Sequence, residues 1–328
     1  MAELRWHPLI QDWVMIAGNR QGRPQMPKDY CPFCPKFGKV PEYEVLEYDN
    51  DFPALSQNPP EPDDVANDFF KVRPSYGKCE VILYSPGHTT TVPELSDSHM
   101  KKLVDLWCER FTALSADEKI KYVFPFENRG DVVGVTMPHP HGQIYGYSVI
   151  PKKLQLETQS AKQYYEEKGA CLYCDLLKNE LAFEKRVIFR NEHFTVFLPF
   201  FTEYPYGVYI FANSHKPYIT DFTEEERMSL GLTIRDVVGM FDSLFDYKFP
   251  YMMCMHNAPV NSGDYSKDFH FHIEFFPPMR SAEKQKFNAS SETGAWAHCN
   301  PTCPEDTAVE LRAAYEKYKA RESEIKRS

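Results

Sequence analysis

The run Pro138-His139-Pro140-His141-Gly142-Gln143 carries the sharpest chemical signal in the chain. On an extended segment alternate residues face the same way, so His139, His141 and Gln143 are expected to point toward one pocket. Neutral imidazole is a competent nucleophile near pH 7, and a covalent histidine intermediate divides one displacement into two easier ones. Two tight cysteine pairs, Cys31-Pro-Phe-Cys34 and Cys171-Leu-Tyr-Cys174, form the second signal. That spacing suits two thiolates on one tetrahedral metal, and redox pairs use it too. Cys79, Cys108, Cys254, Cys299 and Cys303 read mostly as small buried hydrophobes.

These residues have to be positioned by elements, and the elements come twice. After Cys31 and Cys34 stands Asn50-Asp51-Phe52; after Cys171 and Cys174 stands Asn191-Glu192-His193-Phe194. Each half then has an expected strand, residues 80–84 or 207–211, and a histidine in a turn, His88 or His215. Amphipathic helices are expected near 97–115 and 223–245, the second opened by a capping box of Thr223 and Glu226. Each half closes on alternate histidines, His139 with His141 and His270 with His272. The offsets between matching points, 140, 127, 131 and 131 residues, keep the order with loop-sized variation. A duplicated unit explains that better than chance. The reading is α+β, two antiparallel-sheet halves with helices packed against them, residues 1–155 and 156–328. Residues 152–170, with Lys152, Lys153, Glu157 and Glu166, read as the connection, and Pro59–Asp64 as an exposed loop. The stretch from Trp296 to Cys303 reads as a loop leading into a final helix near 304–325.

Composition narrows the partners. The formal net charge is -10 with no long basic run, which disfavours a nucleic-acid surface. No segment approaches 18 apolar residues and the first 30 contain no signal-like stretch, so neither a membrane span nor export is expected. A cytoplasmic location follows, where nine cysteines are too many to explain as disulfides.

The motif His139-Pro-His141-Gly-Gln143 resembles the active-site motif of the galactose-1-phosphate uridylyltransferases, the histidine-triad branch with glutamine in third position. Trp13-Val14 leading to Arg20 and Arg23, Cys31-Pro-Phe-Cys34, Asn50-Asp51-Phe52, Glu127-Asn128-Arg129-Gly130 and the segment from Arg280 to Phe287 also match that family, as does the duplication. The resemblance implies a duplicated histidine-triad-like fold and a ping-pong exchange between UDP-glucose and galactose 1-phosphate, with His141 as nucleophile. It implies that Gln143, Thr136 and Asn128 serve the phosphate, that Arg20 and Arg23 bind phosphates, and that Asn50 and Asp51 hold uridine. It further implies a homodimer in which Lys286 meets sugar phosphate across the interface.

Cys31, Cys34, His88 and His139 make a Cys2His2 set of the kind that holds structural zinc. The duplication places Cys171, Cys174, His215 and His270 in the corresponding positions, and a second zinc is expected there, with iron the alternative metal. Familiar relatives carry a different second site of one glutamate and three histidines. In this chain its positions would be Glu157, His256, His272 and, where a histidine belongs, Glu274. The two Cys2His2 sets are preferred. His272 has no Gly-Gln after it, so the second half is expected to lack a nucleophile. Two other readings remain: a sister transferase acting on ADP-glucose or dinucleoside polyphosphates, and a non-catalytic zinc-ribbon-like module.

Overall fold

In the computed structural model, residues 2–22, 30–37 and 39–325 are described. Twelve strands and six α-helices follow one another along them. The strands are β1 (Ala2–His7), β2 (Asp12–Ala17), β3 (Leu46–Asp49), β4 (Val72–Pro74), β5 (Gly77–Leu83), β6 (Tyr122–Arg129), β7 (His141–Tyr147), β8 (Val187–Arg190), β9 (Phe194–Phe197), β10 (Tyr209–Ala212), β11 (Tyr251–His256) and β12 (His272–Phe275). The helices are α1 (Asp97–Ser115), α2 (Lys152–Lys168), α3 (Leu172–Phe183), α4 (Glu224–Leu244), α5 (Ser290–Ala295) and α6 (Pro304–Ile325). No helix among the described residues is long and apolar enough to cross a membrane.

Nine strands form one antiparallel sheet in the order β3-β5-β7-β6-β11-β12-β10-β9-β8. Read outward from the β6–β11 junction, the two halves repeat the same order, β6-β7-β5-β3 and β11-β12-β10-β9. The α+β class and the two sheet halves match the sequence reading. Their fusion was not expected: Tyr251 pairs with Arg129 and Cys254 with Phe126, joining the halves edge to edge. That pairing removes the exposed inner edge each half would otherwise present to other chains. A separate sheet, β2-β1-β4, lies beside the N-terminal half.

Strand alternation divides the side chains between two faces. Ile82, Ile144, Val196, Ile210 and Ile273 enter one continuous apolar core with α1, α4 and α6. Their neighbours face the other way: Val81 and Leu83 toward Cys31 and Cys34, and Phe197 and Phe211 toward α2 and α3. The cap reading holds for α4, where the Thr223 hydroxyl accepts from Glu226 N at 3.2 Å and Glu226 accepts from Thr223 N at 2.7 Å. The Ser96 hydroxyl caps α1 by a single bond, accepting from His99 N. Helices α4 and α6 approach so closely that a Cβ on Gly239 would lie 2.3 Å from the Tyr318 ring. The expected connection at 152–170 is a full helix, α2 (Lys152–Lys168), whose Ala161 packs with Phe197 and Phe211 on the C-terminal half of the sheet.

Candidate active site and metal centres

His141 opens β7, and its strand is held on both sides by β5 and β6. Its Nδ1 lies 2.7 Å from the His139 carbonyl, which can only accept, so Nδ1 carries the hydrogen and Nε2 the lone pair. This tautomer is what a nucleophilic imidazole needs. The pocket beside it is lined by Arg20, Asn128, Thr136, Gln143, Phe126, Met137 and Tyr145. Gln143 Oε1 accepts from the Tyr145 hydroxyl at 3.0 Å, which leaves the amide NH2 as the donor side. Gly142 lies between His141 and Gln143. A Cβ there would meet the Tyr84 hydroxyl at 2.2 Å and the Phe126 carbonyl at 3.0 Å, so this position has no room for a side chain.

The structure brings together Arg20, Asn128, Thr136, His141 and Gln143. Arg23 lies outside the described residues. Asn50 and Asp51 follow β3. Asn50 Oδ1 accepts from Phe52 N at 2.9 Å, and Asp51 accepts from Lys39 at 2.9 Å and from the Tyr48 hydroxyl at 3.0 Å. They connect to the site through aromatic rings, since Phe33 contacts both Tyr48 (5.5 Å between centroids) and His141 (5.9 Å). Lys286 lines neither pocket beside His141; it is buried against Tyr204 and Asn288.

His139 departs from the expectation that all three side chains share one pocket. It is 1% exposed and turns its Nδ1 to Cys31 and Cys34, 3.6 Å from each sulfur, while His88 Nδ1 lies 3.5 Å from Cys34. Its Nε2 is 2.8 Å from the Ser85 carbonyl and donates there, so the Nδ1 lone pair faces the sulfurs. Burial pushes its pKa down to about 4, and the ring is therefore a neutral donor near pH 7. The counterpart repeats this arrangement: Cys174 Sγ lies 3.3 Å from His215 Nδ1 and 3.4 Å from His270 Nδ1. His215 and His270 direct their Nε2 atoms to the carbonyls of Ser266 and Ala212. In each group four donor atoms lie within 4.8 Å of one another, and such carbonyl-anchored imidazoles are how proteins orient metal-binding histidines. Both sets fit a tetrahedral ion with two sulfur and two nitrogen ligands.

Residues 2–151 match the galactose-1-phosphate uridyl transferase N-terminal domain, and residues 157–321 match its C-terminal domain. The chain belongs to the galactose-1-phosphate uridylyltransferase family. It is 40% identical over 314 residues to the galactose-1-phosphate uridylyltransferase of Thermotoga maritima, covering 95% of this chain and 98% of that one. A probable galactose-1-phosphate uridylyltransferase of Drosophila melanogaster is 31% identical, with 94% of each chain covered. A solved uridylyltransferase structure superposes with a TM-score of 0.89 at 30% identity, covering 96% of this chain and 99% of that one. An ADP-glucose phosphorylase from Arabidopsis thaliana shares the fold, with a TM-score of 0.72 at 23% identity, covering 95% of this chain and 99% of that one.

Within this uridylyltransferase-family chain the two halves have diverged in access. His272 holds the place of His141, and its Nδ1 donates to the His270 carbonyl at 2.9 Å, yet it is 2% exposed under α2. Glu157 of α2 reaches His256 at 2.9 Å, and Glu274 lies 3.5 Å from His256 and 3.7 Å from His272. Some supporting residues escaped sequence reading. Tyr43, 96 residues from His139, lies 2.8 Å from His139 Nε2, and nothing in the sequence marked it. Phe33 stood in view between the two cysteines; only its ring contacts reveal a role.

Proposed function

We propose that this chain passes a uridylyl group from UDP-glucose to galactose 1-phosphate through a covalent intermediate on His141. The Nε2 lone pair attacks the α-phosphorus, an N–P bond forms, and the P–O bond to glucose 1-phosphate breaks, its electron pair leaving with that oxygen. The imidazolium so formed keeps its Nδ1 hydrogen on the His139 carbonyl. A phosphate oxygen of galactose 1-phosphate then attacks the same phosphorus, the N–P bond breaks, and UDP-galactose leaves. Atoms and charge balance without an outside reactant.

The observation that carries this reading is the His141–His139 carbonyl bond, which fixes the nucleophilic tautomer beside a pocket of anion donors. Gln143 and Asn128 would donate to the phosphoryl oxygens, Thr136 would line the same space, and Arg20, with Arg23, would balance phosphate charge. Asn50 and Asp51 would hold the uridine. Zinc is the metal we assign to both Cys2His2 groups, with iron as the alternative at the second; bound there, it would tie the cysteine turn to the strand that aims His141. We further read the chain as cytoplasmic, as two halves at 1–155 and 156–328 with only the first catalytic, and as a homodimer. In that homodimer Lys286 would meet sugar phosphate across the interface, a role that rests on the resemblance to the family.

Intact-protein mass after brief incubation with UDP-glucose, quenched away from acid, tests this. A UMP adduct that disappears on adding galactose 1-phosphate is expected. An adduct formed from ADP-glucose but not UDP-glucose would overturn the substrate assignment, and none from either would overturn the mechanism.

A further inference from the structure

Beneath α2, the C-terminal counterpart of the His141 pocket holds Glu157, His256 and His272, whose donor atoms lie within 4.8 Å of one another. Taken alone, that set resembles a divalent-metal site. The fourth side chain facing it is Glu274, and Glu274 is already engaged: the Lys153 ammonium, also from α2, pairs with it and lies 3.7 Å from Glu157. His256 turns one ring nitrogen to each carboxylate, 2.9 Å from Glu157 and 3.5 Å from Glu274. His256, His272 and Glu274 are each about 2% exposed, so the carboxylates need a positive charge close by.

The ammonium and a metal ion would satisfy the same demand. A cation bound to Glu274 and the imidazoles would stand against Lys153, and two positive charges sharing one buried carboxylate repel each other. The lysine supplies its charge from within the chain and pays no cost of association. Its side chain is half exposed, with the ammonium 4.9 Å from the Phe276 ring centroid, so removing it leaves the ligands in place. We propose that Lys153 closes a latent divalent-metal site, so that in this chain the Glu157–His256–His272–Glu274 cluster is a lysine-balanced ion network that excludes metal.

The test counts metal per chain in purified protein before and after incubation with Zn2+ and, separately, Co2+, followed by desalting. It compares the parent, Lys153→Met and the double variant Lys153→Met with Glu157→Gln. Reading differences between variants keeps the result independent of how fully the Cys2His2 groups are loaded. Lys153→Met should retain one metal per chain more than the parent, and the double variant should lose it again. The added cobalt should lack the thiolate charge-transfer band that a cysteine site shows. Lys153→Ala, which lacks the bulk of Met, serves as a second variant should Lys153→Met fold poorly. A parent that holds the extra metal as well as the lysine variants do would overturn the proposal. So would a lysine variant that gains none, or a gain that survives Glu157→Gln.

Discussion

His141 and His272 stand at matching positions on β7 and β12, and each donates its Nδ1 hydrogen to the carbonyl of the histidine two residues earlier, at 2.7 and 2.9 Å. The shared backbone geometry gives both the same tautomer. What separates them is cover: His141 opens on a pocket, whereas His272 is 2% exposed beneath α2 with carboxylates for neighbours. A nucleophile needs room for its electrophile, so the difference between the halves lies in access.

His141→Ala is expected to lower turnover with UDP-glucose and galactose 1-phosphate by at least about 10³-fold, because no other imidazole among the described residues lines the pocket it shares with Gln143 and Arg20. Metal content and melting temperature should stay at the parent's values. His272→Ala should instead cost stability with a small effect on kcat. Equal kinetic damage from both would contradict the assignment.

Gly142→Ala forces a methyl against the Tyr84 hydroxyl. Overpacking of this kind costs about 1–3 kcal/mol and should displace the adjacent His141. Tyr84→Phe removes the offending oxygen, so the double variant should recover part of both stability and kcat. A double-mutant cycle by denaturant unfolding reads the coupling, and strict additivity would dismiss the contact.

Replacing Tyr145 with Phe frees the Gln143 amide to rotate. Loss of one such orienting bond is worth about 1 kcal/mol, hence roughly a fivefold drop in kcat. Gln143→Glu should cost more, about 10²-fold or beyond, since it replaces a donor with a negative charge beside the phosphate.

Cys31→Ser and Cys171→Ser should each remove metal from one group and lower the melting temperature. The first should also depress kcat, because His139 both faces those sulfurs and lies two residues from His141. Elemental analysis alongside thermal melts checks this, and an unchanged metal content for either variant would take that cysteine out of its site.

Glu127 gives a pH signature. Burial pushes its carboxyl up to about 7, against the Tyr251 hydroxyl that donates to it at 2.8 Å. Because the folded-state pKa is raised, its contribution to stability is fully present below the unfolded value near 4.5 and is lost as pH rises through about 7. The whole span corresponds to about 3 kcal/mol at most. Glu127→Gln should flatten that part of the stability profile relative to the parent. Parallel profiles from pH 5 to 8 would show that Glu127 does not titrate there.

The sequence by itself determined the chemistry and its duplication. Residue types and spacing in His139–Gln143 and in the two cysteine pairs are local facts, and repeats keep their order whatever the fold does. Capping residues such as Thr223 and Glu226 were readable for the same reason, since a cap acts within one turn. Tertiary structure decided what depends on distant approach. The β6–β11 pairing merged two half-sheets into one, and strand edges carry no mark of their partner. Residues 152–168 became the helix that covers His272 because a helix's position over a sheet is set by packing, not by its own pattern. Tyr43 beneath His139, Tyr84 beneath Gly142 and Lys153 against Glu274 meet only after the chain closes. Their contacts join side chains 58 to 121 residues apart, and local sequence contains no record of that approach.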